Sequence, residues 1–252
     1  MVTARKTYTL ILLFISCFLA AQDQSQKPVD LQDYQYKHEA SAGARLQSNG
    51  FTVYGEYGWI KDLNRTRLLQ VEYTYYIDYH QQKRQVDPTL SGPDYIYGLQ
   101  NHFHTIRINY GIKRTIADKA DKNGVRLSLI AFGGVALGLL KPYYLNLTDT
   151  LGSSTIKPER YSSANADRFL SPAYIAGSAP LRYGLDQIQP VVGLHGKIGL
   201  NFDWGKKDQF VKAIEAGAML DVYYERLPIM INKSNHFYQL ALYVAFHLGK
   251  RW

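Results

Sequence analysis

Acidic and basic side chains recur at every second position of several short stretches, which places them on one face of an extended strand. In "LLQVEYTYYIDYH" the first charged member is Glu72, and in "HTIRINYGIKR" it is Arg107. Carboxylate and guanidinium groups on one face could act as general acids or bases, or could form ion pairs with one another. Charges of both signs are nearly balanced on these faces, so the pattern favours ion pairs.

Other chemistry has weaker support in the sequence. His102 and His104 in "NHFHT" face the same way on a strand and could begin a metal site, but no third ligand accompanies them. No G-x-S-x-G, H-E-x-x-H, Walker-type or Rossmann motif occurs, and no acid–His–Ser set stands out. We therefore predict no catalytic residue, no metal and no cofactor, and we expect that the protein is not an enzyme.

Eight stretches alternate apolar and polar residues with the period of a β-strand. They are "SAGARLQS", "FTVYGEYGWI", "LLQVEYTYYIDYH", "HTIRINYGIKR", "VRLSLIAFGGVALGLL", "VVGLHGKIGLNFDW", "AIEAGAMLDVYY" and "QLALYVAFHLGKRW". The fifth is apolar enough to be part of a membrane helix, but at about 15 residues it is short for a span. We predict an all-β protein.

The connections between these stretches alternate in length. "KDLNRT", "IADKADKNG" and "GKKDQ" are short, whereas the links that begin at Gln81, Lys141 and Glu225 hold about 20, 45 and 10 residues. Asn49-Gly50 is the exception, a tight hairpin on the side of the long links. Short periplasmic turns opposite long extracellular loops are typical of outer-membrane barrels, so we predict an eight-stranded antiparallel transmembrane β-barrel with both termini in the periplasm.

The composition of the two faces predicts which one points inward. The apolar face is large, branched and aromatic, whereas the polar face carries most of the glycines, and space is scarce inside a barrel of eight strands. Interior charges should then pair, although a narrow polar path is an alternative. The predicted network comprises Arg45, Glu56, Glu72, Arg107, Lys113, Arg126, Lys197, Glu215, Asp221 and Arg251.

The first 40 residues differ from the rest. Arg5 and Lys6 precede an apolar stretch and then small residues, which is the layout of a secretory signal peptide over 1–21. A periplasmic leader over 22–40 and a barrel over 41–252 follow. The only cysteine, Cys17, is either part of the signal peptide or a lipid acceptor.

The link over 141–189 is the best candidate for binding, because long loops on a rigid scaffold are usually functional or disordered. Its aromatic residues provide apolar area that could either fold over the barrel mouth or dock a protein partner; they are Tyr143, Tyr144, Tyr161, Phe169, Tyr174 and Tyr183. The net charge of +8 could favour nucleic acid, but no nucleic-acid-binding motif is present, so we expect no nucleic-acid partner.

The sequence resembles the small outer-membrane β-barrel proteins of Bacteroidota, a set that includes PorT-like proteins. The resemblance rests on the "AAQ" signal end, "KPYYL", "GKIGLNF", "KAIEAGAMLDVY" with "LPIM", and the closing "FHLGKRW". It implies a location in the outer membrane, and for some members a role in secretion or envelope assembly. It carries over no catalytic residue.

The closing stretch also resembles the signal that the barrel-assembly machinery reads during insertion, and this makes Phe246, Leu248 and Trp252 the predicted insertion signal. The expected partners are therefore outer-membrane lipid, the assembly machinery and a protein bound at the loops. We expect a structural or accessory component of an envelope or secretion complex; the alternative is a small-solute channel or transporter.

Overall fold

The structure is a computed structural model that describes residues 36–62, 64–78, 81–86, 92–119, 124–150, 155–205, 208–231 and 235–252. The predicted signal peptide over 1–21 and the leader up to residue 35 lie outside the described residues.

Alternating apolar and polar residues form β-strands throughout, as the sequence pattern predicts. The strands are β1 His38–Gln47, β2 Gly50–Asp62, β3 Arg65–Tyr76, β4 Gln82–Arg84, β5 Tyr95–Tyr97, β6 Asn101–Ala117, β7 Arg126–Pro142, β8 Tyr144–Thr148, β9 Ile156–Arg160, β10 Ile175–Ser178, β11 Gln189–Asp203, β12 Phe210–Tyr223 and β13 Tyr238–Arg251. The described helical segments are α1 Ala166–Leu170 and the 3₁₀ turns Ser163–Asn165, Pro172–Tyr174 and Leu185–Gln187.

Eight of the strands close into an antiparallel barrel in the order β1-β13-β12-β11-β7-β6-β3-β2. The closing strand β13 pairs with β1 from Glu39 opposite Arg251 to Gln47 opposite Tyr243. The predicted eight-stranded antiparallel barrel is confirmed. Closure leaves no strand edge unpaired along this seam.

One predicted boundary differs from the structure, and one alternative that the sequence left open is decided by it. β1 begins at His38, so residues 38–40 belong to the barrel and not to the leader. The fifth alternating stretch is strand β7, and the helix alternative was wrong. No helix in the described part of the chain is long and apolar enough to cross a membrane.

The two ends of the barrel differ as the connection lengths predict. One end carries the connections at 63–64, 118–125 and 204–209 together with both ends of the barrel chain, and we call it the short-turn end. The other carries the Ser48-Asn49 turn and the connections at 77–100, 143–188 and 224–237, and we call it the long-loop end.

Glycines show which face of each strand points inward. A Cβ added at any of the inward glycines would come to 3.0 Å or less from another heavy atom; these are Gly43, Gly58, Gly111, Gly134, Gly138, Gly193, Gly199, Gly217 and Gly249. A Cβ added at the outward Gly55, Gly133 or Gly196 would meet nothing within 4 Å. The lumen is therefore packed with side chains, and glycine provides the room for them.

The loops at the long-loop end fold into a cap, defined here as the described residues of 77–100, 143–188 and 224–231. Within it, β8, β9 and β10 form a small sheet and β4 pairs with β5. Buried apolar side chains join the cap to the inward face of the barrel, with Phe103, Leu140 and Tyr223 on the barrel side and Leu145 and Phe169 on the cap side. The cap is thus a packed part of the fold.

Candidate functional site

Ion pairs fill the middle of the lumen. We call this the central charge cluster; its members are Arg45, Glu72, Arg107, Lys197, Glu215 and Asp221. The side chains are almost completely buried, and they come from strands on opposite sides of the barrel. The sequence predicted every one of these residues as part of an interior network.

Arg107 lies at the centre of the cluster. Its Nε and Nη2 donate to Asp221 at 3.0 and 2.6 Å, and its Nη1 donates to Glu72 Oε2 at 3.0 Å. The same Nη1 reaches Thr74 Oγ1 at 2.7 Å. Asp221 also accepts from the hydroxyl of Tyr76 and lies 2.7 Å from Nδ1 of His195. These contacts satisfy a guanidinium that would otherwise be a buried charge without a partner.

Arg45 and Lys197 complete the cluster. Arg45 binds Glu72 in a bidentate pair, with Nη2–Oε1 at 2.8 Å and Nη1–Oε2 at 3.0 Å. Lys197 Nζ lies 3.3 Å from Glu215 Oε1 and donates to Gln70 Oε1 at 2.8 Å. With three cations facing three carboxylates, the cluster carries no net charge, which is the condition under which buried ions are tolerated.

A second group of charges lies nearer the short-turn end. Arg251 donates to Glu39 Oε2 at 2.7 Å and to Asp203 Oδ2 at 2.8 Å, and Lys113 also binds Glu39. The prediction included Arg251 and Lys113 but missed their acids. Glu39 was assigned to the leader, although the alternation in "HEASAGARLQ" already extends back to it, and Asp203 lies at the end of its stretch.

Two predicted network members lie apart from the central charge cluster. Arg126 lies at the short-turn end, where its Nε binds Asp118 Oδ1 at 2.7 Å and its side chain lines the same small polar space as Lys113 and Arg251. Glu56 is buried in the lumen and accepts a hydrogen bond from Gln70 Nε2 at 3.0 Å. His195 and His247 were left out of the predicted network, although the alternation places both on the polar, inward face, where they are buried.

Packed groups occupy both ends of the lumen. Towards the long-loop end, the inward Tyr76, Phe103 and Tyr223 lie under the apolar core of the cap. Towards the short-turn end, a polar space of only about 20 Å³ lies among Glu39, Lys113 and Arg251. The lumen therefore holds packed apolar side chains, buried ion pairs and a small polar space at three successive levels.

A cavity of about 680 Å³ lies beside the cap. Its floor is the outward face of the barrel at Ile77 and His102, and its walls are the segments 93–96 and 178–181. Tyr143 is buried at its edge, and its hydroxyl accepts a hydrogen bond from the backbone N–H of Ile96 at 3.1 Å. Burial raises the pKa of Tyr143. We call this space the loop cavity.

The histidine pair that could have begun a metal site is bound to tyrosines. Tyr73 and His104 are joined by a hydrogen bond of 2.7 Å at Nδ1, and Tyr75 and His102 by one of 3.1 Å. All four side chains lie on the outward face near the long-loop end. The described residues contain no group of three or more His, Cys, Asp or Glu that could hold a metal ion.

The aromatic residues predicted to bind a partner have two different environments. Tyr143 and Phe169 are buried in the apolar core of the cap and hold it together, and Tyr143 also lines the loop cavity. Tyr144, Tyr161, Tyr174 and Tyr183 are half-buried and present part of their rings to the surface.

The predicted insertion residues lie on the outward face of the closing strand. Phe246 and Leu248 are exposed there, and Trp252 packs against Tyr57 with ring centroids 6.2 Å apart. The backbone of Trp252 donates to His38 O at 3.0 Å and accepts from the N–H groups of Lys37 and His38, both at 2.9 Å. The last residue thus joins the two ends of the barrel chain.

The fold and the lumen define a small, closed β-barrel with a charged interior and an apolar outer wall. No protein-family model and no curated protein matches this chain. Similar solved structures include the N-terminal β-barrel domain of Pseudomonas aeruginosa OprF, at 11% identity over 85% of this chain and 96% of that one, with a TM-score of 0.36.

Two further structures are similar at the same level. One is Ail, the attachment invasion locus protein of Yersinia pestis, in complex with the heparin analogue sucrose octasulfate, at 11% identity over 85% of this chain and 97% of that one, with a TM-score of 0.41. The other is Neisserial surface protein A, at 11% identity over 85% and 95%, with a TM-score of 0.39. The barrel architecture rests on the strand pairing of this chain itself, because likeness at this level identifies neither family nor function.

Proposed function

We propose that this protein is an integral outer-membrane β-barrel that acts as a structural or accessory component of an envelope or secretion complex and binds its partner at the cap. The observation that carries the membrane assignment is the outward face of the barrel. That face exposes large apolar side chains on every barrel strand, for example Leu46 on β1, Val71 on β3, Ile108 on β6, Val135 on β7 and Leu242 on β13.

The height of the apolar face supports this assignment. On β13, the outward residues from Tyr238 to Leu248 are all apolar or aromatic. Ten steps of about 3.3 Å along a strand tilted by about 40° span roughly 25 Å, which matches the apolar band of outer-membrane barrels. A soluble protein would rarely expose an apolar surface of this extent.

The filled lumen favours a binding role over the alternative of a channel. A solute would have to displace the central charge cluster, whose ion pairs lie across the lumen, and then the apolar core under the cap. The cap itself is folded and borders the loop cavity, whose apolar lining with a few polar groups is typical of a binding site.

Membrane insertion is tested first. The folded protein should fractionate with the outer membrane and migrate faster on a gel before boiling than after it. A protein that stays soluble would overturn the whole proposal. In planar bilayers we expect no steady single-channel openings, and openings that change when Glu72 is replaced by Gln would favour the channel.

Partner binding is tested with matched cap variants of the tagged, full-length protein. Ala179→Arg places a long side chain into the loop cavity, whereas Ser163→Arg adds the same side chain on an exposed turn of the cap. We expect one defined partner to co-purify with the wild type and with Ser163→Arg but not with Ala179→Arg. Identical sets of captured proteins for all three would contradict binding at this cavity.

A further inference from the structure

Three arginines are crowded together on the outward face of the barrel at the short-turn end. Arg65 and Arg114 are direct register partners on the neighbouring strands β3 and β6, and Arg67 lies two residues further along β3 on the same face. All three side chains are exposed. We call them the arginine triad.

The sequence pattern does not require this arrangement, and within the protein it is unfavourable. Side chains of like charge directly opposite each other on antiparallel strands destabilise the sheet. None of the three arginines forms an ion pair with a described acidic residue. The acid nearest in register is Asp62, which lies opposite Arg65 beside the turn, so the triad and Asp62 together still carry two more positive than negative charges.

The depth of the triad is marked by aromatic residues. Trp59 is the register partner of Arg67 on β2, and its ring packs against Tyr57 with centroids 4.9 Å apart. Tryptophan and tyrosine on the outer wall of a membrane barrel lie at the level of the lipid headgroups. Given the proposed insertion, Arg67 lies at headgroup level and Arg65 with Arg114 lies just beyond it.

From these observations we infer that the arginine triad is a binding site for the phosphate of an anionic phospholipid in the leaflet at the short-turn end. Guanidinium groups bind phosphate oxygens in bidentate pairs, and an anion between Arg65 and Arg114 removes their mutual repulsion. A lipid supplies the phosphate at the correct depth, with its acyl chains along the apolar wall next to Tyr110 and Ile112. This inference rests on the proposed membrane location.

Two lysines extend the same positive end around the barrel. Lys212 and Lys250 are exposed on the outward faces of β12 and β13, at the level of the final residues of the closing strand. On β12, β13, β3 and β6 this end therefore attracts anionic headgroups, and the triad is its densest group of cations.

The tryptophans provide the test, because Trp59 and Trp252 lie on the outer wall beside this end. The full-length protein with Trp204→Phe is folded into phosphatidylcholine vesicles that contain phosphatidylglycerol. Either the phosphatidylglycerol or an equal amount of phosphatidylcholine carries bromine, which quenches nearby tryptophan. We expect brominated phosphatidylglycerol to quench more strongly, by about twofold or more, and the excess to fall at high salt.

Matched variants localise the effect. The first is the triple variant Arg65→Gln, Arg67→Gln and Arg114→Gln, which should abolish the preference for phosphatidylglycerol. The control is the triple variant Lys157→Gln, Arg182→Gln and Arg226→Gln. It removes three charges at the long-loop end and should keep the preference. Equal quenching by the two lipids in the wild type, or a preference that survives in the triad variant, would overturn the inference. Loss of the preference on adding inorganic phosphate, but not sodium chloride of the same ionic strength, would show a site for free phosphate and overturn the lipid assignment.

Failure of the proposed function gives a different result. A protein that does not insert shows no faster gel migration before boiling and weak quenching by either brominated lipid. That outcome overturns the membrane location, and with it the lipid site. Faster migration with strong but equal quenching by both lipids leaves the membrane location standing and rejects only the triad.

Discussion

Arg107 and Asp221 face each other across the lumen from strands β6 and β12, which are separated by two other strands, and are joined by two hydrogen bonds of 2.6 and 3.0 Å. Both side chains are fully buried. Such a bond ties opposite walls of the barrel, whereas the backbone ladder ties only neighbouring strands. The stability of the closed barrel should therefore depend on this pair more than on any exposed ion pair.

Replacing Arg107 by Met is expected to destabilise the barrel by about 3–5 kcal/mol, because the substitution leaves Asp221 and part of Glu72 buried without their cation. The measurement is the urea concentration at which the vesicle-bound protein loses its fast gel migration. Arg226→Met, which removes an exposed arginine of the cap, should shift stability by less than about 0.5 kcal/mol. Equal midpoints for the two variants would contradict the role of the pair.

Adjacent glycines in β7 provide a second test. A Cβ at Gly134 would clash with the carbonyl of Ile108 and the side chain of Asn109, whereas a Cβ at Gly133 would meet nothing within 4 Å. Gly134→Ala should cost about 1–3 kcal/mol through overpacking of the lumen, and Gly133→Ala should be neutral or slightly stabilising. The same urea titration distinguishes them, and equal costs would mean that the assignment of the two faces is wrong.

Much of the barrel could be predicted from the sequence because a strand has a period of two residues, which fixes the face of every side chain once the strand is identified. This is why Glu72 and Arg107 were placed in the lumen correctly. Their partners could not be predicted, because contacts across the lumen depend on strand order and stagger around the barrel. Glu39 was missed because the polar residues before β1 were assigned to the leader, although the alternation of β1 extends back to it.

The sequence predicted the cap only as a long loop that could fold over the barrel mouth or bind a partner, and left its internal structure open. Its small sheet and helix α1 are too short to leave a periodic pattern, and the burial of Phe169 depends on contacts with residues far away in the chain. The aromatic content of the segment showed that it had enough apolar area to pack. It did not show which rings point inward and which remain at the surface.

Phe169 is the third test, because its side chain is fully buried in the apolar core of the cap, where it packs on Tyr161 with ring centroids 5.6 Å apart. Truncating a buried phenylalanine to alanine costs about 3–5 kcal/mol, so Phe169→Ala should open the cap locally. We expect protease added to intact vesicles to cleave the cap of this variant faster by tenfold or more, while the barrel keeps its fast gel migration.

Leu185→Ala is the control for the cap, since Leu185 lies in the same segment but is exposed. Its cleavage rate should match that of the wild type. If Phe169→Ala also abolishes the fast gel migration, the cap and the barrel unfold as one unit, and the expectation of a separately opening cap is wrong.

Trp252 closes the barrel at the end of the chain, and deleting it removes three backbone hydrogen bonds to residues 37 and 38 together with the ring contact to Tyr57. Because these contacts join the first and last strands, their loss should slow closure of the barrel and lower the fraction of protein assembled in the outer membrane. Trp252→Phe keeps the backbone bonds and an aromatic ring, so it should assemble close to the wild-type level. Membrane fractionation and gel migration measure the assembled fraction of both variants. If the truncated chain assembles as fully as the wild type, neither the contacts between β1 and β13 nor the terminal aromatic residue directs insertion.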